Sequence, residues 1–130
     1  MPYYVVEKIN YCLNSKGKNF SNSKILLLGA AYKKNIGDTR ESPFWKIQEL
    51  LLNYNTKIYV NDPHVENLQK NILKKVKIYK NINEKIKMFD LIVILTDHDI
   101  YNYDLIYKNC DLIVDTRGRY NQDNIKIFRA

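Results

Sequence analysis

Apolar positions along this chain keep two rhythms that alternate. Tyr3, Val6, Ile9, Cys12 and Leu13 stand three and four residues apart, as on one face of an amphipathic helix, and Gly17 follows its end. The run SKILLLGAAY is instead short, continuous and apolar. That pattern suits a strand covered on both faces in a mainly parallel sheet, and this strand is expected at its centre. Ser42-Pro43 then signals a helix start, because a serine oxygen accepts from exposed backbone N–H groups and proline forfeits no bond at the first helical position. Phe44, Ile47, Leu50, Leu51 and Tyr54 form the predicted core stripe of that helix. Asn55, which tolerates the left-handed conformation, ends it.

A second strand, KIYVND, stops at Asp62-Pro63, where proline cannot extend the ladder. The pattern next predicts a helix from Val65 to Leu73, a short edge strand around Val76 to Tyr79, and a helix from Ile82 to Met88. LIVILT reads as a third buried strand, DHDIYNYDLIYKN as a loop with a short helix, DLIVDTR as a further strand and IKIFR as a terminal one. Strands alternating with helices predict an α/β fold, a Rossmann-like three-layer doubly wound parallel sheet. At 130 residues the chain is expected to form a single domain, preceded by the N-terminal helix.

Composition narrows the classes. With 45% hydrophobic and 27% charged residues the chain has the balance of a folded globular protein. Its longest apolar runs fall well short of the roughly 18 residues that a membrane span requires. The charged opening segment does not read as a signal peptide, so a cytoplasmic location is expected and a membrane partner is not. Cys12 and Cys110 lack metal-ligand spacing and read as reduced structural thiols. A net charge of +7 favours an anionic partner: a nucleotide, a nucleic acid or an acidic membrane surface. The lysines of Lys70 to Lys80 interleave with apolar residues and read as a solvated face. No aromatic-basic signature at defined spacing supports nucleic-acid binding, which ranks below nucleotide binding.

In open parallel sheets ligands sit beyond the carboxyl ends of the strands. That rule selects AYKKNIGDTRES, NDPH, TDHD and DTRGR. Lys33, Lys34, Arg40, Arg117 and Arg119 are then candidates for one cationic rim near the N-terminus of the Pro43 helix, suited to phosphate. Spacing equally allows them to be surface cations paired with Asp38, Glu41 and Asp115. Gly29 stands alone where a dinucleotide fingerprint asks for three glycines, so side chains would have to hold a phosphate. Asp62 reads as a turn residue in preference to a ribose-binding acid. TDHD reads as a strand-end turn with helix-capping aspartates, in preference to a metal or acid–base role for His98, and His64 has less support still. No nucleophile triad, Walker lysine or zinc spacing is present.

The segment LLLGAAYKKNIGDTRESPFWKIQELLLNYNTKIYVNDPHV, followed by DLIVILTDHDIY and DLIVDTRGRY, resembles the C-terminal, UDP-binding domain of the UDP-glucose/GDP-mannose dehydrogenase family. Those enzymes oxidise the primary alcohol at carbon 6 of a nucleotide sugar to a carboxylate, supplying polysaccharide precursors. The opening MPYYVVEKINYCLNSKGK is similar to the branch acting on UDP-N-acetyl amino sugars. The resemblance implies a helix or connector over residues 1–20 and the UDP-binding domain over 21–130. It implies that Tyr32 and Lys33 contact the UDP-sugar, that Arg117 lies on the substrate side, and that Arg40 reaches across the cleft to NAD held by another domain. It assigns no direct role to Lys34, Asp38, Glu41 or His98. The family's N-terminal NAD-binding domain, central dimerisation region and catalytic cysteine have no counterpart in this sequence. The implied protein is therefore a UDP-sugar-binding part that is inactive by itself and works with those regions. The competing reading is a stand-alone nucleotide-binding or assembly module without catalysis.

Overall fold

Four consecutive apolar residues, Ile25 to Leu28, are fully buried, with Ile25 and Leu27 in one core and Leu26 and Leu28 in another. A strand apolar on both faces must be covered on both, and that requirement sets the architecture. The computed structural model describes residues 2–120 and 126–130. The helices are α1 (Pro2–Ser15), α2 (Phe44–Leu52), α3 (Leu68–Asn71) and α4 (Tyr103–Asn109). The strands are β1 (Lys24–Leu28), β2 (Lys57–Asn61), β3 (Lys77–Ile78), β4 (Leu91–Ile94), β5 (Ile113–Asp115) and β6 (Ile127–Arg129).

All the strand pairings are parallel, and the order is β3-β2-β1-β4-β5-β6. The chain runs outward from β1 to one edge, then returns to its other side with β4. The strand order therefore reverses between β1 and β4, and the carboxyl ends of these two strands form the topological switch point. On one face, Val5, Ile9 and Leu13 of α1 pack with Phe44, Ile47 and Leu51 of α2. On the other, Ile86, Phe89, Tyr101 and Ile106 cover the sheet. The predicted three-layer doubly wound sheet with β1 at its centre is what forms. Among the described residues no helix is long and apolar enough to cross a membrane.

Local signals held where they were backbone-specific. Asn55 takes a φ of 59°, the left-handed conformation expected of it. Ser42 Oγ accepts the Phe44 N–H at 3.2 Å, and α2 begins one residue beyond the serine-proline pair. Both cysteines are buried and unbridged.

Periodicity misled at four places. Tyr3 is 61% exposed and Val5 takes the core position, since a phenol at the outer edge of the stripe keeps its hydroxyl in water. Tyr54 is 52% exposed and stacks on Phe20 at 4.7 Å. The helix predicted over Val65 to Leu73 shrinks to the single turn of α3, entered through a left-handed Asn67 and left through an extended Ile72. The helix predicted over Ile82 to Met88 is only a 3-10 turn, Ile86–Met88, entered through a left-handed Lys85. Each of these two segments buries a single side chain within its turn, Leu68 or Ile86, too little apolar contact to offset helix nucleation.

Candidate functional site

Gly29 ends β1 with a φ of 96°, and a side chain there would collide with Thr96 at the end of β4. The two strand ends are stitched at this approach. Leu95 and Thr96 both donate their N–H to the Leu28 carbonyl, at 2.9 and 3.0 Å, and Thr96 Oγ1 donates to the Ala31 carbonyl at 2.6 Å. Gly29 is thus required by strand-to-strand contact within the switch point. The absence of further glycines follows, because this turn packs on protein.

Beyond Gly29 the crossing segment is fastened by Asp62, at the end of β2. Its Oδ2 accepts the N–H groups of Ala30 and Ala31, at 2.7 and 2.9 Å, and lies 3.0 Å from His98 Nε2. Its Oδ1 accepts the His64 N–H at 2.9 Å, which is the turn predicted from Asp-Pro. Burial alone would raise the Asp62 pKa, but the hydrogen bonds from His98, Ala30 and Ala31 outweigh it and hold the carboxyl below its ordinary value. His98 is fully buried, and its Nδ1 accepts the Asn35 N–H at 2.8 Å. With Nδ1 an acceptor, the ring proton belongs on Nε2, facing Asp62. The Asn35 side chain completes the joint, donating to Asp99 Oδ2 at 2.7 Å and accepting the Asp99 N–H at 2.9 Å.

The TDHD segment is therefore a latch on the β1 loop. This corrects the expectation of helix-capping aspartates: α4 is capped by Asn102, whose side chain accepts the Leu105 N–H. His64 packs against His98 with ring centres 4.4 Å apart and planes tilted by 56°. Sequence reasoning missed the Asp62–His98–Asn35 arrangement. Its signal was the position of polar residues at the ends of three buried strands, where an open sheet gathers its loops.

The five candidate cations separate into groups. Arg40 forms a fork with Asp38, Nε at 3.0 Å and Nη2 at 2.8 Å, which holds the exposed Asp38 carboxyl down at about 2. Arg119 donates to Asp99 Oδ1 at 2.8 Å and lies over the Tyr103 ring. Arg117 instead binds two carbonyls, Leu95 by Nε at 2.7 Å and Tyr32 by Nη2 at 2.9 Å. Among the described residues no carboxylate is within ion-pair distance of Arg117, Lys33 or Lys34. The alternative of simple ion pairing thus holds for Arg40 with Asp38 but fails for Asp115, whose two oxygens take the Arg117 and Tyr120 backbone N–H groups. Arg119 pairs with Asp97 and Asp99, which spacing did not suggest.

Tyr32, Lys33, Asp38 and Arg40 line one open cleft of about 600 Å³, and Arg117 joins it through the Tyr32 carbonyl. Of the four residues singled out by the family resemblance, Tyr32, Lys33 and Arg40 therefore share the loop after β1, and Arg117 reaches that loop from the segment after β5. A dinucleotide pyrophosphate does not fit the β1 turn itself: the Ala30 and Ala31 N–H groups that would meet it are consumed by Asp62, and the space beside Gly29 is filled by Thr96.

Residues 26–122 match the UDP binding domain of the UDP-glucose/GDP-mannose dehydrogenase family. The chain belongs to this family. It is 33% identical to the UDP-N-acetyl-D-mannosamine dehydrogenase of Methanococcus vannielii over 95% of this chain and 29% of that protein. The enzyme of the same name from Escherichia coli is 29% identical over 90% of this chain and 29% of its own length. Among solved structures, the NDP-N-acetyl-D-galactosaminuronic acid dehydrogenase of Methanosarcina mazei superposes with a TM-score of 0.78 at 25% identity, covering 99% of this chain and 28% of that one. This UDP-binding domain thus spans less than a third of the length of the relatives it matches.

Proposed function

We propose that this domain holds the nucleotide part of a UDP-sugar for an NAD-dependent 6-dehydrogenase, which oxidises the primary alcohol at carbon 6 to a carboxylate in making polysaccharide precursors. The relatives' names favour UDP-N-acetyl amino sugars as the substrate class. The observation that carries the reading is that Arg117 binds the Tyr32 carbonyl beside Lys33 near the switch point, and that among the described residues no carboxylate is within ion-pair distance of Lys33 or Arg117. Lys33 supplies a mobile point charge for a phosphate. Arg117 spends two donors on tying the Tyr32 carbonyl to the Leu95 carbonyl just beyond β4, which positions the Tyr32–Lys33 segment and leaves a positive charge beside it.

NAD, which supplies the hydride acceptor, belongs to a domain outside this chain. Arg40 is this domain's contribution toward it: its side chain is 87% exposed, so leaving Asp38 for an incoming anion costs little. Residues 1–20 act as the connector to the central dimerisation region, and 21–130 as the UDP-binding unit. Cys12 and Cys110 are both buried, and burial pushes their thiols up to about 11, which supports reading them as structural.

The test is calorimetric titration of the 130-residue chain with UDP, a UDP-N-acetyl amino sugar, NAD and a short RNA, together with an assay for NADH formation. UDP and the UDP-sugar should bind with a shared dependence on Lys33 and Arg117, and no NADH should form. Tight RNA binding without a UDP response would overturn the assignment, and turnover by the isolated chain would overturn the division of labour.

A further inference from the structure

The opposite edge of the sheet, where the strands begin, carries a second cationic feature. Register places Lys24 beside Lys57 on β1 and β2, and Tyr59 beside Lys77 on β2 and β3. Side chains alternate faces with a period of two, so Lys24, Lys57, Tyr59 and Lys77 all project from one face. Lys75 precedes β3 at the same edge. With Leu52 and Tyr59 these lysines line a cavity of about 310 Å³.

Like charges set side by side in a ladder repel, and a stable sheet normally offsets them with carboxylates. Here, among the described residues, no carboxylate lies within ion-pair distance of any of the four lysines. Asp90, just before β4, is already taken by Lys18 Nζ at 2.6 Å and by the Lys24 backbone N–H at 2.7 Å. The sequence suggested a solvated face running along Lys70 to Lys80. The lysines of that run are indeed exposed, and two of them, Lys75 and Lys77, join Lys24 and Lys57 in lining one concavity.

We propose that this cavity is an anion site, separate from the switch point, for a small multiply charged phosphate compound whose organic part lies against Tyr59. Four ammonium groups match several phosphate charges at once, and their flexible stems adapt to unequal spacing. The volume is at the low end of the about 300–1,000 Å³ typical of small-molecule sites, which suits a compact ligand.

The test is a titration of the isotopically labelled chain with ATP and with inorganic pyrophosphate, followed by amide chemical shifts. Both should move the amides of Lys24, Lys57, Tyr59 and Lys77, with ATP the tighter binder. Lys57→Gln combined with Lys77→Gln should weaken this response on the order of tenfold, two exposed charge contacts being lost. Lys57→Gln alone should give a smaller loss in the same direction, which guards against misfolding of the double variant. Lys33→Gln, at the switch point, should leave the response in place. No shift at this edge, shifts confined to residues 31–40 and 117, or undiminished binding by the double variant would each overturn the proposal. A separate UDP titration reads the switch point, so either site can fail without the other.

Discussion

Replacing Asp62 by asparagine tests whether the β1 loop is held as described. Asp62 and His98 have side chains with no exposure to solvent, and four donors converge on the two carboxylate oxygens. An asparagine turned with its oxygen toward Ala30, Ala31 and His98 presents its NH₂ to the His64 N–H, so two donors face each other. Turned the other way it opposes three donors. The better orientation loses one charge-assisted bond outright and weakens three more. With such bonds worth about 1.5–3 kcal/mol, a cost of about 3 kcal/mol is expected. For a domain of this size that lowers Tm by about 10 °C.

The pH dependence gives a second readout whose sign is fixed. A carboxyl with a depressed folded pKa contributes stability that is fully present above its ordinary value of 3.8 and is lost as pH falls through the folded value. The stability gap between wild type and Asp62→Asn should therefore be full at neutral pH and shrink progressively as pH falls below 3.8. Urea unfolding across that range measures it. Amide exchange should also quicken at Ala30, Ala31 and Asn35 before it does in β1. A gap below about 1 kcal/mol at neutral pH, within the range of ordinary surface substitutions, would refute the reasoning. So would a gap that does not shrink in acid.

Three further outcomes follow from the same geometry. Gly29→Ala should cost about 3 kcal/mol through backbone strain and overpacking against Thr96; an unchanged urea midpoint would count against the close approach. Arg117→Lys replaces the planar fork that holds the Leu95 and Tyr32 carbonyls by a single ammonium nitrogen, so it should lose about 1 kcal/mol of stability. UDP affinity by calorimetry should fall about fivefold to tenfold with it, the binding equivalent of that loss. Cys12 and Cys110, pushed up to about 11, should be about one part in a thousand thiolate at pH 8. A disulfide reagent should then label the native chain slowly and the denatured chain at once, whereas rapid native labelling would contradict their burial.

The elements legible in the sequence were those with a local cause. Ile25 to Leu28 and Leu91 to Ile94 are short, uniformly apolar runs of the kind that doubly covered strands show, and the helical patterns between the strands point to parallel crossovers. The short helices were misread because periodicity reports an apolar face without reporting whether anything packs on it. Of the site, the loop segments were legible from the rule that ligands gather at strand ends, but their partners were not. Arg40 and Arg119 looked alike as cations at strand ends, and only the fold showed that Asp38 holds one and Asp97 and Asp99 the other.

By itself the sequence determined the sheet, its central strand and the left-handed turn at Asn55, three residues beyond the last of α2, because those depend on side-chain size, polarity and backbone freedom over a few residues. The tertiary structure alone decided what Gly29 and Asp62 do. Gly29 needs its missing side chain because Thr96 comes to meet it, and Asp62 is a buried charge because His98, 36 residues later, arrives with a proton to share. Contacts between strand ends that are close in the sheet but distant in the chain carry no local pattern, and at this switch point they set how the polar and charged side chains are partnered.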